Sequence, residues 1–189
     1  MIVTRKIEFD MGHRVPNHKS KCRNPHGHRY VAEVGVDDKV INEKGASNEG
    51  MVIDFSDLKE IMMNKIDGVC DHSFMISRDD IDMINCFFHS ANEISALDLI
   101  DEELRLYGHA HAFGIQRNSD KDWKTIIVPF IPTAENIAWW IYVRMEQALK
   151  EKGIKLKYVR IWETPNCSAI YSGEDKKITT TLGGGVRLA

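Results

Sequence analysis

The sequence predicts a single α+β domain. Three observations carry this: two alternating apolar runs near the N-terminus, two longer stretches whose apolar residues recur at three and four, and a second pair of extended runs towards the C-terminus. At 189 residues the chain suffices for one domain with a sizeable core and is too short for two ordinary ones. Hydrophobic residues at 43% and charged residues at 28% exclude a disordered or collagen-like chain. The formal net charge of −3 gives no global pull towards nucleic acid or an anionic membrane, so any phosphate site must be local. No apolar run approaches the ~18 residues of a membrane span. The first residues, Met1 to Lys6, lack the apolar core of a secretory signal. Cys22, Cys70, Cys86 and Cys167 are therefore expected as reduced thiols in a cytoplasmic protein.

In chain order, residues 2–11 alternate as a strand, and residues 12–25, rich in Gly, Pro, Asn and Lys, form a loop. His28 to about Val36 is a second strand, with Tyr30, Ala32, Val34 and Val36 on one face. Met51-Val52-Ile53 reads as a short strand leading to Asp54 or Ser56 as a helix cap. Leu58, Ile61, Met62 and Ile66 keep helical spacing, which predicts a helix over about 55–66. Residues 77–130 read as an insertion holding an acidic helix at about 91–106 and an extended run from Trp123 to Phe130. A long helix starts at Thr133, with Ile137, Trp140, Ile141, Met145 and Leu149 on its apolar stripe and Gly153 as its stop. Strands at Leu156–Glu163 and Cys167–Tyr171 flank a Thr164-Pro165-Asn166 turn, and residues 173–189 read as a loosely held tail.

Residues 10–28 concentrate the chemistry. Side chains two apart on a strand share a face, so His26 and His28 point the same way. His13 ends the alternation Ile7, Phe9, Met11, His13 and supplies a third nitrogen from a neighbouring strand. Three imidazoles with an open fourth position form a catalytic zinc arrangement; iron and nickel are the other metals that suit such ligands. Cys22, between Lys21 and Arg23, is either the fourth ligand, closing the site, or a free thiolate beside it, suited to act as base or nucleophile. Asp71-His72 either ends a helix or forms a carboxylate–imidazole proton relay. Glu163 shares a face with Val159 and Ile161, where a charge is costly unless paired. Its carboxylate matches two adjacent N–H donors, as on the amino-pyrimidinone edge of guanine or a pterin. Glu135, in a first helical turn, either serves the helix dipole or acts as a ligand. His109 and His111, which His89 could join, form either a second metal site or a mobile loop. Lys19, Lys21, Arg23 and Arg29 either receive phosphates or are simply solvated.

Six segments together resemble, in order, the motifs of the 6-pyruvoyl-tetrahydropterin synthase and 6-carboxytetrahydropterin synthase family. They are Phe9-Asp-Met-Gly-His13, Cys22-Arg-Asn-Pro-His26-Gly-His28, Met51-Val-Ile-Asp-Phe-Ser-Asp-Leu58, Asp71-His72, Pro132-Thr-Ala-Glu-Asn136 and Trp162-Glu163-Thr164. The short gap between Cys22 and His26 is similar to the bacterial 6-carboxytetrahydropterin synthases of 7-deazaguanine (queuosine) biosynthesis. The resemblance implies the tunnelling fold: a four-stranded antiparallel sheet with two main helices on one face. Subunits would close a barrel and stack as a homohexamer, a dimer of trimers, which pairs the sheet edges that a lone subunit leaves open.

The resemblance also implies zinc on His13, His26 and His28, with Cys22, Asp71 and His72 catalytic and Glu163, helped by Glu135, holding the pterin. Sites would lie between subunits. The implied reaction turns 7,8-dihydroneopterin triphosphate and water into 6-carboxy-5,6,7,8-tetrahydropterin, acetaldehyde and triphosphate. The alternatives are a pyruvoyl-type synthase or aldolase relative on the same ligand, and a non-catalytic zinc or pterin-binding module. Three features depart from the family pattern: Met11-Gly12 before the first histidine, Ser73-Phe74-Met75-Ile76 after Asp71-His72, and the insertion at about 77–130.

Overall fold

The computed structural model describes residues 1–87, 93–111, 124–174, 181–182 and 186–187. Its elements are β1 (Ile2–His13), β2 (His26–Asp37), α1 (Phe55–Met62), α2 (Gly68–Cys70), β3 (Ser73–Ser77), α3 (Ile81–Phe87), α4 (Glu93–Tyr107), β4 (Ala110–His111), β5 (Thr125–Val128), α5 (Ala134–Lys150), β6 (Leu156–Thr164), β7 (Cys167–Tyr171), β8 (Thr181–Leu182) and β9 (Val186–Arg187). The expected four-stranded antiparallel sheet is corrected here: seven strands hydrogen-bond in the order β4-β5-β3-β1-β2-β6-β7, and the β1–β3 and β3–β5 ladders are parallel. Met51-Val52-Ile53 is not a strand; it leads into Asp54, whose carboxylate caps α1 by accepting from the Ser56 amide at 2.7 Å. The chain folds as two compact units, and β1 and β2 each run through both.

The first unit comprises Met1–Phe9, Arg29–Asp71 and Ala134–Lys177. In it, β2 pairs with β6 and β6 with β7, all antiparallel. Period-two alternation puts Tyr30, Ala32 and Val34 of β2 and Val159 and Ile161 of β6 in the core. Helix α5 packs on β6 and β7 and touches α1, burying Ile137, Ile141, Met145 and Leu149. Each such side chain contributes about 1.5–3 kcal/mol when fully buried. Helix α1 continues through a π-helical turn, Met63–Asp67, into α2, so Leu58, Met62, Ile66 and Cys70 are all buried. Gly153, at φ 71°, ends α5 as expected, its N–H donating to the Lys150 carbonyl.

The second unit comprises Asp10–His28, His72–Thr133 and Ile178–Ala189. Here the end of β1 pairs with β3, in the register Met11 with Ser73 and Gly12 with Phe74. β3 pairs with β5, and β5 with β4. Ile76, Met83, Ile84, Ile100, Leu104, Ala110 and Ile127 form one apolar cluster, so α3 and α4 bury their stripes on these strands. The described part of the 77–130 insertion thus supplies strands and core to this unit. Arg78, the residue after β3, is tied to Asp101 of α4 through two hydrogen bonds of 2.6 and 2.9 Å. Among the described residues no helix is long and apolar enough to cross a membrane.

Candidate active site

All three histidines of the N-terminal motif lie in the second unit. His13 is the last residue of β1, and His26 and His28 open β2, so two adjacent strand ends deliver the imidazoles. Strand β2 starts two residues earlier than expected, which makes the His-Gly-His triplet extended and puts both rings on one face. Gly27 permits this: a Cβ there would lie 3.2 Å from the Met11 carbonyl oxygen. Gly12 has a similar role, since a Cβ there would overlap the ring of Phe74 on β3.

Potential ligand atoms of His13, His26 and His28 all lie within 4.8 Å of one another. Ring centroids are 4.6 Å apart for His13 and His26, 5.3 Å for His13 and His28, and 5.0 Å for His26 and His28. His13 is buried; the other two are half-buried.

Two carbonyls set the tautomers. Nδ1 of His13 lies 2.6 Å from the Pro132 oxygen, and Nδ1 of His26 lies 2.7 Å from the Asn24 oxygen. A carbonyl only accepts, so each Nδ1 carries the proton, and it is Nε2 whose lone pair a metal would use. That is the outer hydrogen bond which metal-ligating histidines commonly make. The donor set therefore fits a divalent, nitrogen-preferring metal such as zinc. Sequence reasoning missed both carbonyls. Pro132 lies in the Pro132-Thr-Ala-Glu-Asn136 motif, but nothing in that motif announces a backbone acceptor for a histidine more than a hundred residues away.

Cys22 stands outside the imidazole cluster, half-buried on a 3-10 turn, Lys21–Arg23, whose hydrogen bonds include Val15 N–H to the Cys22 carbonyl at 2.9 Å. None of the four cysteines forms a disulfide. Lys19, Lys21 and Arg23 are exposed on the same loop, whereas Arg29, in the first unit, pairs with Glu8 at 3.8 Å. In the second histidine pair, His109 is buried with Nδ1 3.0 Å from the Tyr107 carbonyl; the His111 side chain and His89 lie outside the described residues.

Asp71 caps α2 with extended backbone, and His72 follows with φ 56°. Among the described residues it is the one non-glycine at positive φ, a conformation that costs an L-residue roughly 1–2 kcal/mol. The His72 amide donates to the Asp10 carbonyl at 2.8 Å, which fixes that geometry. Such strain at a histidine is a pointer to function.

Glu163 belongs to the first unit and is half-buried beyond the fully buried Val159 and Ile161, as its spacing suggested. The partner that the sequence did not reveal is Tyr30, whose hydroxyl donates to Oε1 at 3.5 Å. Burial first, and then the Glu163 charge, push the Tyr30 phenol well above its ordinary value, so it remains a donor. Phe9 stacks on Tyr30 with centroids 5.5 Å apart. Glu135 is exposed in the first turn of α5, a position that serves the helix dipole.

A family model described as 6-pyruvoyl tetrahydropterin synthase matches residues 2–174. The 6-carboxy-5,6,7,8-tetrahydropterin synthase of Haemophilus influenzae is 29% identical over 169 residues, covering 89% of this chain and 96% of that protein. The protein of the same name from Rickettsia felis is 31% identical over 169 residues, covering 87% and 94%. Among solved structures, an uncharacterized protein from Wolinella succinogenes aligns with a TM-score of 0.67 at 23% identity, covering 92% of this chain and 98% of that one. The 6-pyruvoyl tetrahydropterin synthase of Caenorhabditis elegans aligns at 0.53 and 23%, covering 92% and 95%. At that identity the two structures show the fold, the α+β tunnelling fold.

Proposed function

Since the chain belongs to the 6-pyruvoyl tetrahydropterin synthase family, we propose that it is a zinc-dependent 6-carboxytetrahydropterin synthase. It would convert 7,8-dihydroneopterin triphosphate and water to 6-carboxy-5,6,7,8-tetrahydropterin, acetaldehyde and triphosphate, within 7-deazaguanine (queuosine) biosynthesis. The observation that carries the reading is the cluster of three imidazoles, two of them held by backbone carbonyls with Nε2 as the donor. The names of the Haemophilus and Rickettsia relatives support the choice of product.

His13, His26 and His28 would hold the zinc, which when bound supplies Lewis acidity towards a substrate hydroxyl. Cys22, outside the cluster, moves protons at the substrate side chain. Asp71 and His72 form the partner relay and serve the Cys22 of a neighbouring subunit. Glu163 accepts from the paired N–H donors of the pterin edge, and Tyr30 holds that carboxylate by donating to it. Glu135 assists at the start of α5. The assembly proposed is a cytoplasmic homohexamer of two trimers, acting on a small molecule with no nucleic-acid or membrane partner.

Purified protein incubated with 7,8-dihydroneopterin triphosphate should yield the carboxy-pterin and acetaldehyde by mass spectrometry. Pyruvoyl-tetrahydropterin without acetaldehyde would overturn this in favour of the reaction for which the family model is named. No turnover, with pterin still bound, would favour a binding module.

A further inference from the structure

Immediately after His13 the chain leaves β1, and a frayed strand end would spoil a ligand placed there. The next residue, Arg14, is itself held. Its Nε donates to Asp80 Oδ2 at 2.6 Å, and its Nη2 donates to Oδ1 of the same carboxylate, a bidentate pair. Asp80 is 5% exposed and is itself fixed. Its amide donates to the Ser77 carbonyl at 2.9 Å at the end of β3. Its Oδ1 accepts from Met83 N–H at 3.3 Å and its carbonyl from Ile84 N–H at 3.0 Å, so it also caps α3. His13 is thus bracketed: Gly12 is laddered to Phe74 on one side, Arg14 is clamped to Asp80 on the other, and the ring is held by Pro132.

We infer that Asp80, through Arg14, is a positioning residue for the His13 end of the imidazole cluster, so that the start of the 77–130 segment braces the metal site. The inference rests on the zinc reading of that cluster. It gives the segment a task that its sequence did not disclose.

The test measures the zinc dissociation constant of the full-length protein by competition with a chromophoric chelator, alongside thermal unfolding. Asp80→Asn and Arg14→Lys, which keep size or charge but not the two-point contact, should each weaken zinc about tenfold, the lower end for outer-sphere changes. Asp101→Asn is the control, because it breaks an ion pair of similar geometry elsewhere in the same unit. It should lower the unfolding temperature yet leave zinc affinity unchanged. Asp80→Asn and Arg14→Lys binding zinc like the wild type would overturn the brace alone. So would an equal loss of affinity in Asp101→Asn, which would reduce the effect to general destabilisation. A wild-type protein with no zinc affinity would overturn the metal reading and the brace together.

Discussion

Gly12→Ala tests how the histidine cluster is built. The glycine sits one residue before His13 and opposite Phe74 in the parallel β1–β3 ladder. An added Cβ would overlap Phe74 Cδ2 and lie 2.9 Å from Cε2, so the ring must move. Its retreat is restricted, because Phe74 packs on Phe87 with centroids 5.3 Å apart and on the Ile76–Ile127 cluster. Overpacking of this kind costs about 1–3 kcal/mol. The φ of Gly12 is not positive, so the cost is steric rather than conformational. Taking ~2 kcal/mol, the unfolding temperature should fall by about 4–8 °C for a chain of this size. Scanning calorimetry on Gly12→Ala, Phe74→Leu and the double variant gives the coupling. In the Phe74→Leu background the Gly12→Ala cost should shrink to below about 0.5 kcal/mol. A Gly12→Ala protein as stable as wild type, or a cost undiminished without the Phe74 ring, would refute the close-approach argument.

His72→Gly and His72→Ala both remove the imidazole, but only glycine is at ease at φ 56°. The glycine variant should therefore be the more stable by about 1 kcal/mol in urea unfolding, while both lose turnover. Equal stabilities would mean that the backbone strain is not real. Glu163→Gln should weaken pterin binding roughly 10- to 100-fold by fluorescence titration, as expected when a charged hydrogen-bond acceptor is lost. Unchanged affinity would remove Glu163 from the ring-binding role.

The antiparallel half of the sheet was legible from its period of two: Tyr30, Ala32 and Val34, and likewise Val159 and Ile161, are apolar at every second position and all reach the core. The helix starting near Thr133 was equally plain from its apolar stripe. The parallel strands were not legible. Thr125–Val128 is buried at every position and Ser73–Ser77 at four of five, so neither alternates, and a short continuous apolar run does not say what it pairs with. The spacing therefore predicts four strands where seven hydrogen-bond, and it does not show that part of the 77–130 segment joins the sheet. At the site, side-chain identities and spacing pointed to the three histidines and to the half-buried Glu163. The features that orient them are backbone carbonyls, a tyrosine on a neighbouring strand and an aspartate sixty-six residues from its arginine. Such pairings depend on the fold and leave no local pattern.

X-ray absorption at the zinc edge, on wild type and Cys22→Ala, bears most directly on the central claim. The prediction is zinc bound to imidazole nitrogens at about 2.0–2.1 Å, with no sulfur at about 2.3 Å, in spectra that Cys22→Ala leaves unchanged while turnover disappears. A sulfur neighbour lost in Cys22→Ala, or wild-type protein that takes up no zinc, would contradict it.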